Sequence, residues 1–339
     1  MSGGVDSSAA ALLLKEKGYE CEGGTMRLFV PEGVDITEGE RDAQRVSDAL
    51  GIPFHLFDMQ KEFTDTVMEN FSKCYLEGET PNPCVVCNRE IKFGLLLKKA
   101  IELGFDKIAT GHYARVEYEN GRYAVKKGLS PEKDQSYVLW CLTQEQLSHV
   151  ILPLGGLSKP EVREIAEKSG LPVAHKSESQ DICFVPDGDY AAFIERHTGK
   201  SFPAGDFTDT EGKVLGRHKG IINYTVGQRR GLGLSLKAPL YVKSKVAAQN
   251  KIVLCPNEQL FENKLDCREA NWVGVEMPAS PLRVEAKIRY RHAAAPATVW
   301  ATGENSFHLE FDEPQRAISP GQSCVLYIGD ILAGGGIIE

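Results

Sequence analysis

A chain of 339 residues is longer than one ordinary domain and predicts two or three. With 42% hydrophobic and 25% charged residues it has a globular composition, which excludes a disordered, collagenous or membrane-spanning chain. A net charge of −8 excludes a protein that coats nucleic acid by bulk attraction, and nine cysteines are too sparse for a disulfide scaffold.

In chain order, residues 7–17 are rich in Ala and Leu and stop at Gly18, and residues 19–29 supply a strand. Residues 38–50 are amphipathic and end at Gly51, and residues 54–57 form a second strand. Residues 61–76 and 90–103 read as helices, with a short strand at 107–110. Residues 158–169 form the clearest helix: Ser158 caps it, Pro160 sits in its first turn, Glu161 completes a capping box and Gly170 ends it. This alternation predicts an α/β Rossmann-like domain with a parallel sheet over residues 1–200.

Beyond residue 200 the pattern changes. Short alternating runs at 221–226, 240–246, 251–254, 282–289, 297–302, 307–311 and 323–331 are punctuated by Gly, Pro and Asn. They predict two small β-rich domains, 201–266 and 267–339, the last a β-barrel. Residues 201–266 hold ten Lys and Arg against six Asp and Glu, a net of +4, whereas residues 1–200 carry −9 and residues 267–339 carry −3. A basic segment inside an acidic chain leaves room for a focused contact with a polyanion.

The strongest chemical signal is Ser2, Gly3, Gly4, Val5, Asp6, Ser7, Ser8, followed directly by a helix. Two glycines admit a ligand close to the backbone, successive N–H groups form an anion nest, and the helix aims its positive end at the same point, so phosphate is the natural occupant. No Lys stands where a Walker A loop requires one. The second signal is Thr80, Pro81, Asn82, Pro83, Cys84, Val85, Val86, Cys87, Asn88, placed before the helix expected at 90–103. A thiol at a helix N-terminus is expected to have a lowered pKa and to be a better nucleophile. Half a zinc site and two packed small side chains are the alternatives, although no second CxxC or His pair completes four zinc ligands. The third is Cys183 in the polar stretch Glu178, Ser179, Gln180, Asp181, Ile182, Cys183, Phe184, Val185, Pro186. Cys21, Cys74, Cys141, Cys255, Cys267 and Cys324 sit in apolar or nondescript settings and are expected to be inert.

The loop at residues 2–8 resembles the PP-loop of enzymes that cut ATP between its α and β phosphates. With the two cysteine stretches, Gly111–His112–Tyr113–Ala114–Arg115, Lys133–Asp134–Gln135–Ser136–Tyr137, residues 224–233 and residues 287–291, the chain resembles the tRNA-specific 2-thiouridylases from Ser2 to its C-terminus. A PP-loop follows the first strand of its sheet, and Met1 leaves no residues for one, so a start lying further upstream is expected.

The resemblance implies the PP-loop, adenine nucleotide alpha hydrolase-like fold and a two-stage reaction on the wobble uridine, position 34, in the cytoplasm. It implies that Ser2, Gly3, Gly4, Val5, Asp6 and Ser7 hold ATP with Mg2+, with Met26 and Gly111 on the adenosine side. It implies that Cys183 carries a persulfide and Cys87 resolves it through a disulfide. Asn82, Pro83 and Cys84 would border the flipped-out base, and His112, Lys133, Asp134, Gln135, Arg289, Tyr290 and Gln322 would touch the tRNA. The implied partners are tRNAs for Lys, Glu and Gln and a sulfur-donor protein such as a cysteine desulfurase or relay, with no membrane. Some family members carry Asp where this chain has Cys84, and three thiols, Cys84, Cys87 and Cys183, are also the number that hold an iron–sulfur cluster with one open iron. A cluster-dependent sulfuration is therefore the alternative mechanism. Another PP-loop synthetase and a non-catalytic nucleotide-binding redox module are the alternative functions.

Overall fold

The computed structural model describes residues 1–30, 36–176, 182–235 and 238–339. Two of its N-terminal helices start where local capping chemistry dictates. Thr37 Oγ1 accepts from Glu40 N at 3.2 Å and Glu40 Oε2 accepts from Thr37 N at 2.8 Å, so helix Glu38–Leu50 opens on a closed capping box and stops where Gly51 takes φ 63°. Ser158 and Glu161 do the same for helix Lys159–Lys168. Strand Gly23–Arg27 pairs in parallel with Phe54–Asp58, and Ile108–Ala109 pairs in parallel with Val150–Ile151. Helices Val5–Glu16 and Lys159–Lys168 share an apolar cluster containing Val5, Ala9, Leu12, Val162 and Ala166.

The helix expected from residue 90 begins instead at Pro83. Asn82 caps it, its side chain accepting from Cys84 N at 3.2 Å, and Pro83 takes the first position. The helix then runs through Cys87–Leu96 and Leu97–Glu102. The strand expected at 221–226 is a short helical turn, Ile221–Asn223, because Gly220 takes φ 112° and the Asn223 side chain donates to Lys219 O and Gly220 O.

The middle of the chain folds as a four-stranded sheet of Val214–His218, Gly205–Thr208, Lys251–Cys255 and Tyr241–Val246. Six antiparallel strands then close a barrel in the order Phe261–Trp272, Ser306–Arg316, Ala295–Gly303, Leu282–Lys287, Ser323–Ile328, Ile331–Ile338, the last pairing back onto the first through Cys267 and Ile338. The first of these strands crosses position 266/267. A hairpin from the N-terminal part, Ala114–Glu119 and Arg122–Lys127, extends this sheet through Lys126 and Ile331. It turns at Asn120 and Gly121, both at positive φ, the dipeptide that suits a tight hairpin.

The barrel and the N-terminal part share a core that includes Val85, Phe93, Trp140, Val325 and Leu332. Trp140 Nε1 donates to Ser323 Oγ at 2.9 Å, and a Cβ on Gly335 would stand 2.8 Å from the indole, so glycine is what lets the ring lie on the strand. Burying one such aromatic contributes about 2–3 kcal/mol. Among the described residues no helix is long and apolar enough to cross a membrane.

Candidate nucleotide and thiol site

The loop at residues 2–8 is clasped on two sides. Gly3 takes φ 68°, and a Cβ there would lie 2.3 Å from Gly39 O at the start of helix Glu38–Leu50. A Cβ on Gly111 would meet the backbone of Asp6 and Ser7 at 2.8 and 2.9 Å. Inside the loop, Ser2 N donates to Ser7 Oγ at 3.1 Å, and Ser7 and Ser8 hydroxyls donate to Gly4 O at 3.1 and 2.9 Å. Val5 is buried at the first helical position. Asp6 Oδ1 accepts from Tyr113 OH and from Lys159 Nζ, each at 2.7 Å. Met26 lies half-buried on strand Gly23–Arg27, whose Arg27 pairs with Glu40 at 2.8 Å beside the Gly39 contact. The loop and Gly111 therefore meet just beyond the parallel strand Ile108–Ala109, at the end of the sheet where open α/β folds bind ligands, whereas Met26 packs against the apolar cluster of Met59, Phe63 and Phe184.

The thiols lie beyond it. Cys84 is exposed in the first turn of its helix. Cys87 is buried, and its expected lowered pKa is corrected: it sits past the first turn, away from the free N–H groups, and burial pushes its thiol up to about 11 against the pull of the Lys92 ammonium. At neutral pH Cys87 is then held as the thiol. Cys183 is exposed beside Phe184, which is buried among Phe63, Phe71 and Phe193 at ring distances of 5.6, 5.3 and 5.0 Å. The protein around the Cys183 thiol and the nearby Cys84 raise its pKa, and Lys92 again opposes them. Cys84, Cys87 and Cys183 thus feel one another's charge, with Lys92 common to the last two. The stretch Glu178, Ser179, Gln180, Asp181 lies outside the described residues. Burial raises Cys74 and Cys141 to about 12, as befits inert thiols. Among the described residues no group of three or more His, Cys, Asp or Glu is gathered as a metal site.

Several residues expected to meet RNA are engaged inside the protein. Asp134 accepts from Gly128 N at 3.0 Å and from Ser136 N and Oγ at 3.1 and 2.9 Å. Gln135 Oε1 accepts from Tyr113 N at 3.0 Å, and Lys133 N donates to Ser130 O at 3.1 Å. His112 is buried against Phe93, hydrogen-bonded to Thr110, and burial with the Lys92 charge lowers its pKa to about 3, so it stays neutral. Arg289 donates to Arg316 O at 2.8 Å. Tyr290 is 37% exposed, packs edge-on to Tyr137 and senses the charge of Cys84, which brings the barrel to the thiols. Asn82 is half-buried and Pro83 buried at the same edge.

Gln322 ties the barrel to the cysteine segment. Its Nε2 donates to Thr80 O at 2.7 Å, Thr80 N donates to Pro320 O at 2.8 Å, Arg268 pairs with Glu79 at 2.9 Å, and Lys245 Nζ donates to Glu79 O at 3.1 Å. Both β-rich parts thus grip the segment leading into Cys84. Lys92, Lys159 and Tyr113 are the site residues that sequence reasoning missed. Lys92 was within reach, because it follows Cys87 on the same helix; a Lys at the start of a helix gives no such signal.

Exposure orders the thiols for labelling. Under iodoacetamide at pH 7.5, Cys84 is expected to alkylate first and Cys87 at least about 10-fold more slowly, since thiolate fraction and access both disfavour it. Peptide mass spectrometry over time reads the order, and equal rates at Cys84 and Cys87 contradict the burial.

Comparison with known proteins agrees along the whole chain. Residues 1–187 match a family model described as the tRNA methyl transferase HUP domain, residues 191–256 the tRNA methyl transferase PRC-barrel domain, and residues 262–338 the aminomethyltransferase beta-barrel domain. The tRNA-specific 2-thiouridylase MnmA of Clostridioides difficile is 48% identical over 348 residues, covering 100% of this chain and 96% of that protein. The MnmA protein of Clostridium acetobutylicum is 47% identical, at 100% and 98% coverage. The MnmA 1 protein of Caldanaerobacter subterraneus is 49% identical, at 100% and 96%.

Proposed function

We propose a sulfur-transfer reaction on tRNA from one premise: this chain belongs to the tRNA-specific 2-thiouridylase family. It is an enzyme that makes 2-thiouridine in tRNA. The observation that carries the mechanism is an anion-holding loop with no resident Walker lysine in the same fold as two solvent-facing thiols backed by a buried third.

In this reading Ser2, Gly3, Gly4, Val5, Asp6 and Ser7 hold ATP, and Met26 and Gly111 line the adenosine side. The uracil O2 of the wobble uridine attacks the α phosphorus, N3 loses its proton, and the α–β bridging bond breaks with its electron pair leaving on pyrophosphate. An unreactive carbonyl oxygen has become a leaving group. Asp6, in the first turn of its helix, would hold a magnesium ion that neutralises charge on the phosphates. The terminal sulfur of a Cys183 persulfide attacks C2 and AMP departs. Cys87, having released its proton, attacks Sγ of Cys183; the S–S bond breaks toward the base, leaving 2-thiouridine and a Cys87–Cys183 disulfide. A dithiol reductant and a persulfide-donating protein, of the cysteine desulfurase or relay class, reset the pair. Burial of Cys87 supports its waiting role, because a protonated thiol does not attack early. No step is assigned to an iron–sulfur cluster.

The wobble base must leave its stack to be reached, as single-stranded RNA loops commonly allow. Asn82, Pro83, Cys84 and Tyr290 border its place, and tRNAs for Lys, Glu and Gln in the cytoplasm are the substrates of this reading. Residues 1–200 carry the chemistry, while 201–266 and the barrel at 267–339 dock the tRNA. Measuring pyrophosphate release with and without tRNA tests the scheme. Release that requires tRNA and is followed by sulfur incorporation supports it; release driven by an amine acceptor assigns a nitrogen-transferring synthetase, and none at all a binding module.

Arg229 and Arg230 are exposed in the basic middle segment. The Arg229→Ala, Arg230→Ala double variant is expected to bind tRNA more weakly, with a salt slope shallower by about one unit per charge, while still binding ATP. A titration with unchanged affinity and slope moves the RNA surface elsewhere.

A further inference from the structure

One residue takes a bond from each of the three parts of the chain. Glu79 stands just ahead of the cysteine segment, between Gly78 and Thr80. Its N–H donates to Cys74 O at 2.8 Å, near the end of helix Glu69–Leu76. Its carbonyl accepts from Lys245 Nζ at 3.1 Å, on strand Tyr241–Val246 of the middle sheet. Its carboxylate, 18% exposed, accepts from Arg268 at 2.9 Å, on the first strand of the barrel. Close packing backs these bonds. A Cβ on Gly78 would stand 3.2 Å from Lys245 O, and one on Gly321, which holds φ 86°, would stand 2.8 Å from Glu79 Cβ.

The three parts do not need this junction to stay together. The middle sheet and the N-terminal helices already share an apolar cluster with Phe71, Val242 and Leu254, and the barrel shares one with Trp140 through Val325 and Leu332. A partly exposed ion pair adds little stability, because solvent screening and the ordering of two long side chains offset its attraction. What three bonds to one residue do fix is its place. The chain beyond it is stiff: Pro81 and Pro83 lock two of the next four φ angles, and Asn82 caps the helix that carries Cys84 and Cys87. A displacement of Glu79 is therefore passed on to both thiols.

We propose that Glu79 is the positioning residue of the cysteine segment: held by all three parts at once, it sets where Cys87 stands when it resolves the intermediate on Cys183. This rests on the reading that Cys87 attacks Cys183 in the second stage. Glu79 acts through the segment and not on the reacting sulfurs. The loop at residues 2–8, which serves the first stage, lies outside the segment, so a displaced segment slows the second stage more than the first.

The test compares Glu79→Ala and Glu79→Gln with the unaltered chain. In single turnover, release of thiolated tRNA is expected to slow about 10-fold in Glu79→Ala while AMP formation changes less than about threefold, so that a tRNA adduct on Cys183 accumulates. Glu79→Gln, which can still accept from Arg268, should recover part of the rate. Under iodoacetamide without tRNA, Cys87 in Glu79→Ala is expected to alkylate about fivefold or more faster than in the unaltered chain, with the buried barrel thiol Cys324 unchanged. A merely structural glutamate would slow both stages alike and expose Cys324 together with Cys87. If Glu79→Ala melts more than about 10 °C early, Arg268→Met, which breaks the same tie from the barrel side, replaces it with the same expectations. The proposal is overturned if Cys87 alkylates within about twofold of its rate in the unaltered chain, or if the two stages slow equally. A chain in which Cys87→Ser traps no adduct sinks the persulfide reading instead, and Glu79 is then judged on Cys87 alkylation alone.

Discussion

Replacing Cys183 by Ser is expected to abolish thiolation of tRNA while AMP formation survives. A hydroxyl cannot hold a sulfane sulfur, so the second stage has no nucleophile, whereas the phosphate loop that runs the first stage does not include this residue. The fold should tolerate the change. Cys183 is exposed, and the anchor of its loop is the neighbouring Phe184, 2% exposed and packed on Phe63, Phe71 and Phe193. Cys87→Ser is expected to fail later, after C2 has been attacked, and to leave a covalent protein–tRNA adduct through Cys183 that a reductant releases. Thiolated tRNA is read by its retardation in a mercury-containing gel and the adduct by its mobility without reductant. Near-normal thiolation in either single variant contradicts the persulfide scheme.

Gly3→Ala is expected to cut AMP formation by about 10²-fold or more, because it forces the anion nest open where the phosphates sit. Two effects act together. The residue holds φ 68°, a conformation that costs an alanine about 1–2 kcal/mol, and its Cβ would stand 2.3 Å from Gly39 O and 2.9 Å from Gly39 Cα. Those are backbone atoms of a capped helix and cannot rotate aside, so the loop must move. Gly18→Ala separates the effects: Gly18 holds φ 84° with nothing within 4 Å, so that variant carries the strain without the collision. It should keep AMP formation within about twofold, with a melting temperature lower by a few degrees. Equal loss in both variants makes backbone strain the cause, and retained activity in Gly3→Ala moves the nucleotide to another part of the sheet.

The division between what was legible and what was not follows the range of the forces involved. Capping is a matter of three or four residues, so helices Glu38–Leu50 and Lys159–Lys168 agree with the sequence reading nearly to their ends. The same applies to the phosphate loop, whose glycines, hydroxyls and following helix are contiguous, and to the change from α/β alternation to short strands after residue 200. Two local signals were present and passed over: Asn82 with Pro83 starts the cysteine helix early, and Asn120 with Gly121 makes a hairpin.

Other properties depend on residues far apart in the chain. Cys87 looks like an activated thiol beside a helix start, yet its pKa is governed by the side chains that close over it, and desolvation outweighs the Lys92 charge. The segment before Cys84 is held by Lys245, Arg268 and Gln322 from two later parts of the chain, so the β-rich regions help to place the thiols. The Asp6–Lys159 contact spans 153 residues, and no periodicity or motif announces it. Short-range hydrogen bonding therefore made the loops, caps and candidate nucleophiles readable from residue order, whereas burial and charge pairing, which arise only when distant elements pack, set the protonation of the thiols and joined Lys159 to Asp6.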